Sequence, residues 1–167
     1  MDPEKRKLLD CWRLRIRIAQ TAHFRYADLL KRRHYHFGLP VVILSTVVGT
    51  SVFASLSDDP STILKIVVGL VSLLAAILSS LQTFLDFSTQ SEKHRVAAAK
   101  FSELKKKLEK ELAFTDKNEA LLNDFVNQIL KDWNSINSDC PLPPGKLYNK
   151  VFNELDGKRC FPLDQIE

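Results

Sequence analysis

Two long stretches of the chain contain only uncharged, mostly apolar residues. Residues 37–56 read FGLPVVILSTVVGTSVFASL and residues 66–85 read IVVGLVSLLAAILSSLQTFL. At roughly 1.5 Å per residue, twenty helical residues match the hydrocarbon core of a bilayer. The pattern therefore predicts two membrane-spanning helices, over about 37–56 and 64–87. The alternative is a buried helical hairpin in a soluble protein, but such helices usually keep a charged stripe on the solvated side, and neither stretch has one.

The boundaries of the two spans are marked by turn-forming residues. The short connection SDDPSTILK predicts a helical hairpin, and Asp59 before Pro60 predicts that the second helix begins there. At the other boundary, Gly38 and Pro40 predict a break or kink where the first span begins. This position is either a simple helix start or a hinge used in gating, so Gly38 and Pro40 are the hinge candidates.

Three further segments have apolar residues at helical spacing. They predict amphipathic helices over about 3–36, 88–113 and 116–137, the last capped by Thr115 or Asp116. The predicted apolar faces are Trp12, Ile16, Ala19, His23, Tyr26 and Leu30; then His94, Ala97, Phe101, Leu104, Leu108 and Leu112; then Leu122, Phe125, Ile129, Trp133 and Ile136. Because no Gly or Pro lies between Leu70 and Pro141, the second span is predicted to continue as a stalk.

These elements define an expected fold class and domain organisation. The chain is predicted to be an all-α membrane protein, a two-span transmembrane helical hairpin with long amphipathic cytoplasmic helices forming a stalk or bundle. Residues 1–137 are expected to form one two-transmembrane domain. Residues 138–167 are expected to form a C-terminal tail that contains the sequence CPLPPG and a possible short helix around residues 146–155.

The distribution of charge predicts the orientation in the membrane. Ten Lys and Arg precede the first span, whereas the connection between the spans has only Lys65 beside two aspartates. The positive-inside rule therefore places both termini in the cytoplasm. Six basic residues are candidates for contact with anionic headgroups or a phosphate ligand: Arg13, Arg17, Lys31, Arg32, Arg33 and Lys93. Binding to polymer nucleic acid is not expected, because residues 13, 15 and 17 point in three directions on a helix.

No common catalytic or metal signature is present. The chain lacks GxxxxGK[ST], GxSxG, HExxH and paired CxxC motifs, so neither an enzyme, a cofactor nor a metal site is predicted. The four histidines are interpreted as packing or membrane-interface residues. The three cysteines are odd in number and widely spaced, which favours free thiols in a reducing compartment.

The second span carries a polar stripe that becomes more polar toward its end. Residues 72, 79 and 86 repeat every seven positions, and two further polar residues share their sector. The candidates for lining a water-filled pore are Ser72, Ser79, Gln82, Thr83 and Asp86. The alternative is helix packing through small residues, for which the candidates are Ser45, Gly49, Gly69 and Ala76. Asp86 either faces a cavity or a partner charge such as Lys93, or extends to the interface at the end of the span.

Several of these segments together resemble a known family. The run HYHFGLPVVILSTVVGTSVFASL, the short acidic turn, LSSLQTFLDF and the following STQSEKHRVAAAKFSEL resemble the SLATT family, over about residues 8–137. SLATT proteins are two-transmembrane effector domains associated with bacterial nucleotidyltransferase and nucleotide-sensor genes. The resemblance implies an effector of an anti-phage or conflict system in the bacterial inner membrane. It also implies a trigger, which is a nucleotide second messenger or a nucleotidyltransferase or sensor partner.

The leading functional hypothesis combines the resemblance with the polar stripe. Because two helices cannot enclose an aqueous path, a pore requires a homo-oligomer with the second span toward the axis. We therefore expect an oligomeric pore-forming or membrane-disrupting effector that is triggered through its cytoplasmic helices. The alternative is a non-conducting membrane adaptor that recruits a cytoplasmic partner.

Overall fold

The computed structural model describes residues 3–55, 61–113 and 119–160, and nearly all of these residues are helical. The elements are α1 (Pro3–Ser55), α2 (Thr62–Leu85), α3 (Phe87–Ala113), α4 (Glu119–Asp139), α5 (Gly145–Glu154) and a short 3-10 helix (Gly157–Cys160). No strand occurs in these ranges. The prediction of an all-α chain with two long apolar helices is confirmed. The predicted cap of α2 at Asp59 and Pro60, and that of α4 at Thr115 or Asp116, lie outside the described residues.

Helix α1 passes through the expected break at Gly38 without interruption. It runs from Pro3 to Ser55 as one helix and contains Pro40. Pro40 has no backbone N–H to donate to the carbonyl of His36, so one helical hydrogen bond is lost there. The expectation of a helix break is therefore wrong, because the rest of the hydrogen-bond ladder continues on both sides. A kink or a functional hinge at Gly38 and Pro40 stays a prediction.

The predicted continuous helix from the second span is also wrong, because α2 ends at Leu85 and α3 begins at Phe87. Asp86 lies between them in the left-handed region, with φ 38° and ψ 49°. Asp is one of the few residues other than Gly that adopt this conformation, so the absence of Gly and Pro did not guarantee an unbroken helix. At its other end α2 is capped by Ser61, whose hydroxyl accepts from the backbone N–H of Leu64 at 3.4 Å.

The described contacts divide the chain into two compact units, which are considered separately. The terminal unit comprises residues 1–28 and 91–167, and the hairpin unit comprises residues 29–90. The core of the terminal unit joins the first part of α1 to α3 and α4. Its buried members are Leu9, Ile16, Phe101, Leu104, Leu108 and Ile129, and both tryptophans of the chain, Trp12 and Trp133, pack against them. The apolar spacing in the sequence therefore identified most of this core.

A second core lies on another face of the same part of α1. Ile18 and Ala22 are fully buried against Val151 of α5, with Tyr148 and Phe152 packed around them. Helix α5 is therefore the short helix expected in the tail, and it covers an α1 face that the sequence analysis did not assign. The pattern missed this face because Arg17 and Arg25 interrupt its apolar spacing.

The expectation of three free thiols is wrong for two of the cysteines. Cys11 of α1 and Cys160 of the 3-10 helix form a disulfide, with Cα atoms 5.2 Å apart. Residues this far apart in sequence give no local signal of pairing, and α5 brings them together by docking on α1. Cys140 remains a free, half-buried thiol, and its desolvation raises the pKa.

Candidate functional site

The hairpin unit exposes large apolar side chains along both of its helices. Leu39, Val42 and Ile43 on α1 are more than half exposed, and Phe84 on α2 is 85% exposed. A helix in the core of a soluble protein would bury such residues, whereas lipid can cover them. Both helices are long and apolar enough to cross a membrane, with mean hydropathy of 1.4 and 2.3 over their most apolar windows. The candidate site therefore lies in a membrane-spanning hairpin.

Each of the two helices has one less exposed stripe. The stripes repeat at spacings of three and four residues, which is the pattern of two helices that face each other. On α1 the stripe consists of Phe37, Val41, Leu44, Val48 and Ser51; on α2 it consists of Val68, Val71, Ala75, Leu78, Gln82 and Leu85. Ala75 is the most buried of the α2 positions, at 8% exposure.

Gly38 and Gln82 mark a close approach of the two helices. A Cβ atom added to Gly38 would lie 3.1 Å from Nε2 of Gln82, which is tighter than ordinary contact. The absence of a side chain at Gly38 therefore makes room for the Gln82 amide. The rings of Phe37, which directly precedes Gly38, and Phe87 stack with centroids 5.8 Å apart. Phe87 is buried. These contacts give Gly38 a packing role, and they do not test its role as a hinge.

The polar stripe of α2 has a half-buried part, which includes Gln82 at its contact with Gly38, and an exposed part. Gln82 lies half-buried against Gly38, and Ser72 is half-buried with its hydroxyl donating to the carbonyl of Val68 at 2.7 Å. Ser79, Thr83 and Asp86 are exposed in the single chain, and the Thr83 hydroxyl donates to the carbonyl of Ser79 at 3.0 Å. The exposed part of the stripe therefore runs beside the seam with α1. In a helix this apolar, exposed polar groups require water or another protein surface.

Asp86 acts as a structural cap on both of the helices that it joins. Its backbone N–H donates to the carbonyl of Gln82 at 3.1 Å and so closes the last turn of α2. Its carboxylate accepts from the backbone N–H of Thr89 at 3.3 Å, as an N-cap of α3 does. The Gln90 side chain donates to the carbonyl of Leu85 at 2.9 Å. The bend is therefore hydrogen-bonded on both sides, and Asp86 has a role that the sequence analysis did not assign.

The small residues predicted for helix packing have open space around them in the single chain. No heavy atom lies within 4 Å of a Cβ added to Gly49 or Gly69, and Ser45 and Ala76 are exposed. Within the hairpin unit, these four positions therefore do not form the contact between α1 and α2. Close packing through them stays a prediction, and it would require a second copy or another partner.

The basic candidates differ in their surroundings. Lys31, Arg32 and Arg33 are exposed at the start of the hairpin unit, where α1 approaches its apolar part. In the terminal unit Lys93 is exposed, and Nε of Arg13 lies 3.7 Å from the carboxylate of Glu109. Arg17 is exposed on α1 four residues beyond Arg13. Within the terminal unit, Arg13 and Arg17 share a helix face, because they lie four residues apart on α1.

A buried histidine pair lies in the terminal unit. His23 of α1 and His94 of α3 are each 4% exposed, and their Nδ1 atoms are 3.0 Å apart. This distance is a hydrogen bond only when one Nδ1 carries a proton and the other accepts it, so at least the accepting ring is neutral. Burial, and secondarily His94, lowers the pKa of His23 to about 4; burial also lowers the pKa of His94. Both residues fit the apolar spacing of their helices, which was the available signal for this pairing.

Metal binding has no support among the described residues, in which no group of three or more His, Cys, Asp or Glu side chains could hold an ion.

The chain matches the family described as SMODS and SLOG-associating 2TM effector domain family 4, over residues 8–151. No curated protein and no solved structure matches the chain.

Proposed function

Since this chain belongs to the SMODS and SLOG-associating 2TM effector domain family 4, we propose that it is a pore-forming membrane effector of a bacterial conflict system. Several copies assemble with α2 toward a common axis. The residues that line the path are the exposed Ser79, Thr83 and Asp86, with the half-buried Ser72 and Gln82 at its edge toward α1. A nucleotide signal or a partner protein acts on the cytoplasmic helices, which form a stalk or bundle, and opens the path.

The observation that carries this proposal is the exposed polar group on α2. Ser79, Thr83 and Asp86 lie beside the seam with α1 and not beneath it, so pairing within one chain does not cover them. Lipid cannot hydrate a carboxylate or satisfy a hydroxyl's full bonding capacity, whereas water in a lumen can do both. One hairpin cannot enclose water, so the proposal requires an oligomer. The open space at Gly49 and Gly69 supports close contact between copies.

The proposed membrane location and orientation rest on the distribution of basic residues along the chain. We place the hairpin in the bacterial inner membrane with both termini in the cytoplasm, because the basic residues lie before and after the hairpin. In that compartment the disulfide between Cys11 and Cys160 is exposed to reduction. Thiol labelling of intact cells and of opened cells tests the orientation. Labelling of Cys140 by an impermeant reagent in intact cells contradicts it.

A pair of adjacent substitutions tests whether the stripe lines a path. Ser79 and Ser80 are both exposed serines, but they lie about 100° apart around α2. We expect Ser79→Leu to reduce ion release from liposomes at least several-fold, because an apolar side chain would dry the path. Ser80→Leu is the matched control and is expected to keep release near the wild-type rate. Equal rates for both variants and the wild type would contradict the lining assignment.

The charge of Asp86 has its own test. Asp86→Asn removes the carboxylate charge but keeps a residue that tolerates the left-handed region and can cap α3. We expect the variant to conduct with a lower preference for cations over anions, because an acidic side chain in a lumen attracts cations. Single-channel reversal potentials in a salt gradient measure this preference. An unchanged potential places Asp86 outside the conduction path.

The adaptor function makes the opposite prediction about the hairpin. If the hairpin only anchors the terminal unit, then replacing residues 37–85 with an unrelated two-span hairpin preserves growth arrest in cells. If α2 lines a path, the replacement abolishes growth arrest although the protein still inserts. Membrane fractionation checks insertion in both cases.

A further inference from the structure

A cavity of about 550 Å³ opens on the surface of the terminal unit. One wall is a single face of α1 and the other is the 3-10 helix that ends at Cys160. Its size lies within the range of pockets that bind small molecules. No residue in this wall belongs to the polar stripe of α2, so the cavity is separate from the proposed path.

The lining of this cavity is strongly basic. The cationic side chains are Arg6, Lys7, Arg13, Arg17 and Arg159, and the acid described in the lining is Asp10. The α1 members recur at helical spacing, which brings them onto one face over about three turns. Residues 13, 15 and 17, considered alone, point in three directions on the helix. Residues 6, 10, 13 and 17 are separated by three or four positions, and this spacing places their side chains on the same face of α1.

Existing ion pairs leave most of this charge available. Nε of Arg13 lies 3.7 Å from the carboxylate of Glu109, and Nε of Arg159 lies 3.6 Å from that of Asp156; all four side chains are more than 40% exposed. Exposed pairs of this kind are weak, typically below about 1 kcal/mol. Among the described residues, no ion pair or hydrogen bond is found for the side chains of Arg6, Lys7 or Arg17, and all three are exposed. A soluble anion can therefore compete for the guanidinium groups.

The C-terminal segment holds Arg159 across from the α1 face. The disulfide between Cys11 and Cys160 attaches the 3-10 helix to α1, and Val151 is fully buried against Ile18 and Ala22. The backbone at Arg159 is therefore held across from the α1 face by these contacts, while its side chain is 77% exposed.

The chemistry of the lining limits the class of ligand. Arginine forks bind phosphate oxygens in pairs, and several cations in one cavity favour an anion with several charges. The apolar lining consists of Pro3 and Leu14, and no aromatic ring described there offers a stacking surface for a base. We infer that this cavity binds a multiply charged phosphate anion through Arg6, Lys7, Arg13, Arg17 and Arg159. The anion is the phosphate part of a soluble ligand or the headgroup of an anionic lipid.

This inference deepens the trigger proposed above, and its regulatory meaning rests on that proposal, but binding is measured independently of conduction. The probe is inorganic tripolyphosphate, titrated into the full chain in phosphatidylcholine nanodiscs and followed by calorimetry. Sulfate at equal ionic strength controls for general screening. The pocket variant is Lys7→Gln with Arg17→Gln. The matched control is Lys105→Gln with Lys106→Gln, which removes the same charge from α3 outside the cavity.

We expect tripolyphosphate to bind the wild type and the control variant with affinities within about twofold of each other. The pocket variant is expected to bind at least tenfold more weakly, since each lost charge-assisted hydrogen bond weakens binding appreciably. Sulfate is expected to bind weakly to all three proteins. Equal weakening in both double variants means general attraction to a basic protein and overturns the inference. So does the absence of binding to both tripolyphosphate and anionic lipid.

A second set of nanodiscs, containing phosphatidylglycerol, separates the two sources of phosphate. Tripolyphosphate binding that is unchanged in these discs assigns the cavity to a soluble ligand. Binding that phosphatidylglycerol competes away, in a manner that the pocket variant abolishes, assigns it to lipid headgroups. Binding without ion release under any condition leaves this inference standing and removes the pore. Ion release together with an absence of binding supports the pore and overturns the inference that the cavity binds a phosphate anion.

Discussion

The paired histidines show how a polar residue is accommodated in the core of the terminal unit. His23 and His94 share one hydrogen bond, and the ring of Tyr26 packs edge-on against His94 at 4.7 Å. The ring of Phe101 lies 5.5 Å from that of His23. No described acid contacts the pair, so nothing offsets the charge when a ring is protonated. Neutrality of both rings is therefore a condition of this packing.

The pair predicts a loss of stability on acidification. The pKa of His23 is lowered from 6.5 to about 4 in the folded protein, so between these values the unfolded chain binds the extra proton. Stability is therefore full above pH 6.5, falls as the pH drops toward 4, and levels off below that. We expect a loss of roughly 2 to 3 kcal/mol across this window. Denaturant unfolding followed by tryptophan fluorescence measures it, because both tryptophans lie in the terminal-unit core.

A substitution isolates the contribution of the pair to this pH dependence. His23→Phe with His94→Leu removes both titrating groups and fills the site with apolar atoms. We expect its stability to vary much less between pH 7 and pH 4. The control is His36→Gln, because His36 is exposed in the hairpin unit. A pH dependence that survives in the double variant would assign it to other groups.

At the scale of elements, Asp86 decides how α2 ends and α3 begins. Its left-handed backbone, its cap on Thr89 and the bond from Gln90 to Leu85 together fix a bend of one residue. The prediction of an unbroken stalk rested on the absence of Gly and Pro, which are the commonest helix breakers. Asp is a favoured N-cap residue, and its carboxylate commonly accepts from the backbone N–H three residues later, here that of Thr89. The identity of residue 86 was therefore a local signal for the start of a new helix.

The bend makes Asp86→Ala and Asp86→Asn differ. Alanine prefers the right-handed helix and cannot cap, so we expect Asp86→Ala to cost about 1 to 2 kcal/mol in the bent state and to favour one continuous helix. Spin labels at residues 80 and 88, both exposed and both in the hairpin unit, measure the change. We expect a longer distance for Asp86→Ala and a wild-type distance for Asp86→Asn. The same distance in all three proteins would show that Asp86 does not control the bend.

At the scale of the whole molecule, the sequence predicted best where burial alone decides the structure. The apolar faces of α1, α3 and α4 follow from spacing, because a helix must bury one stripe, and Phe101, Leu104 and Ile129 lie where that rule puts them. The Cys11 disulfide, the docking of α5 and the basic cavity depend on contacts between distant parts of the chain. Local patterns carry no information on such contacts, so the sequence analysis missed them.

Docking of α5 is the tertiary contact most easily tested. Val151 is fully buried, and Val151→Ala removes two methyl groups from a closed site. We expect a destabilisation of roughly 2 kcal/mol in denaturant unfolding. Lys150→Ala at the adjacent exposed position is expected to change stability by less than about 0.5 kcal/mol. Equal effects from the two substitutions would contradict the packing of α5 on α1.

This docking also imposes an order on biosynthesis. The ribosome makes α1 and the two apolar spans well before it makes Gly145–Glu154. The hairpin can therefore enter the bilayer co-translationally while Ile18 and Ala22 still lack their cover and Cys11 has no partner. Until α5 emerges, the nascent chain has a membrane anchor but an incomplete basic cavity. A chain made in this order therefore has its apolar hairpin complete before its terminal unit is.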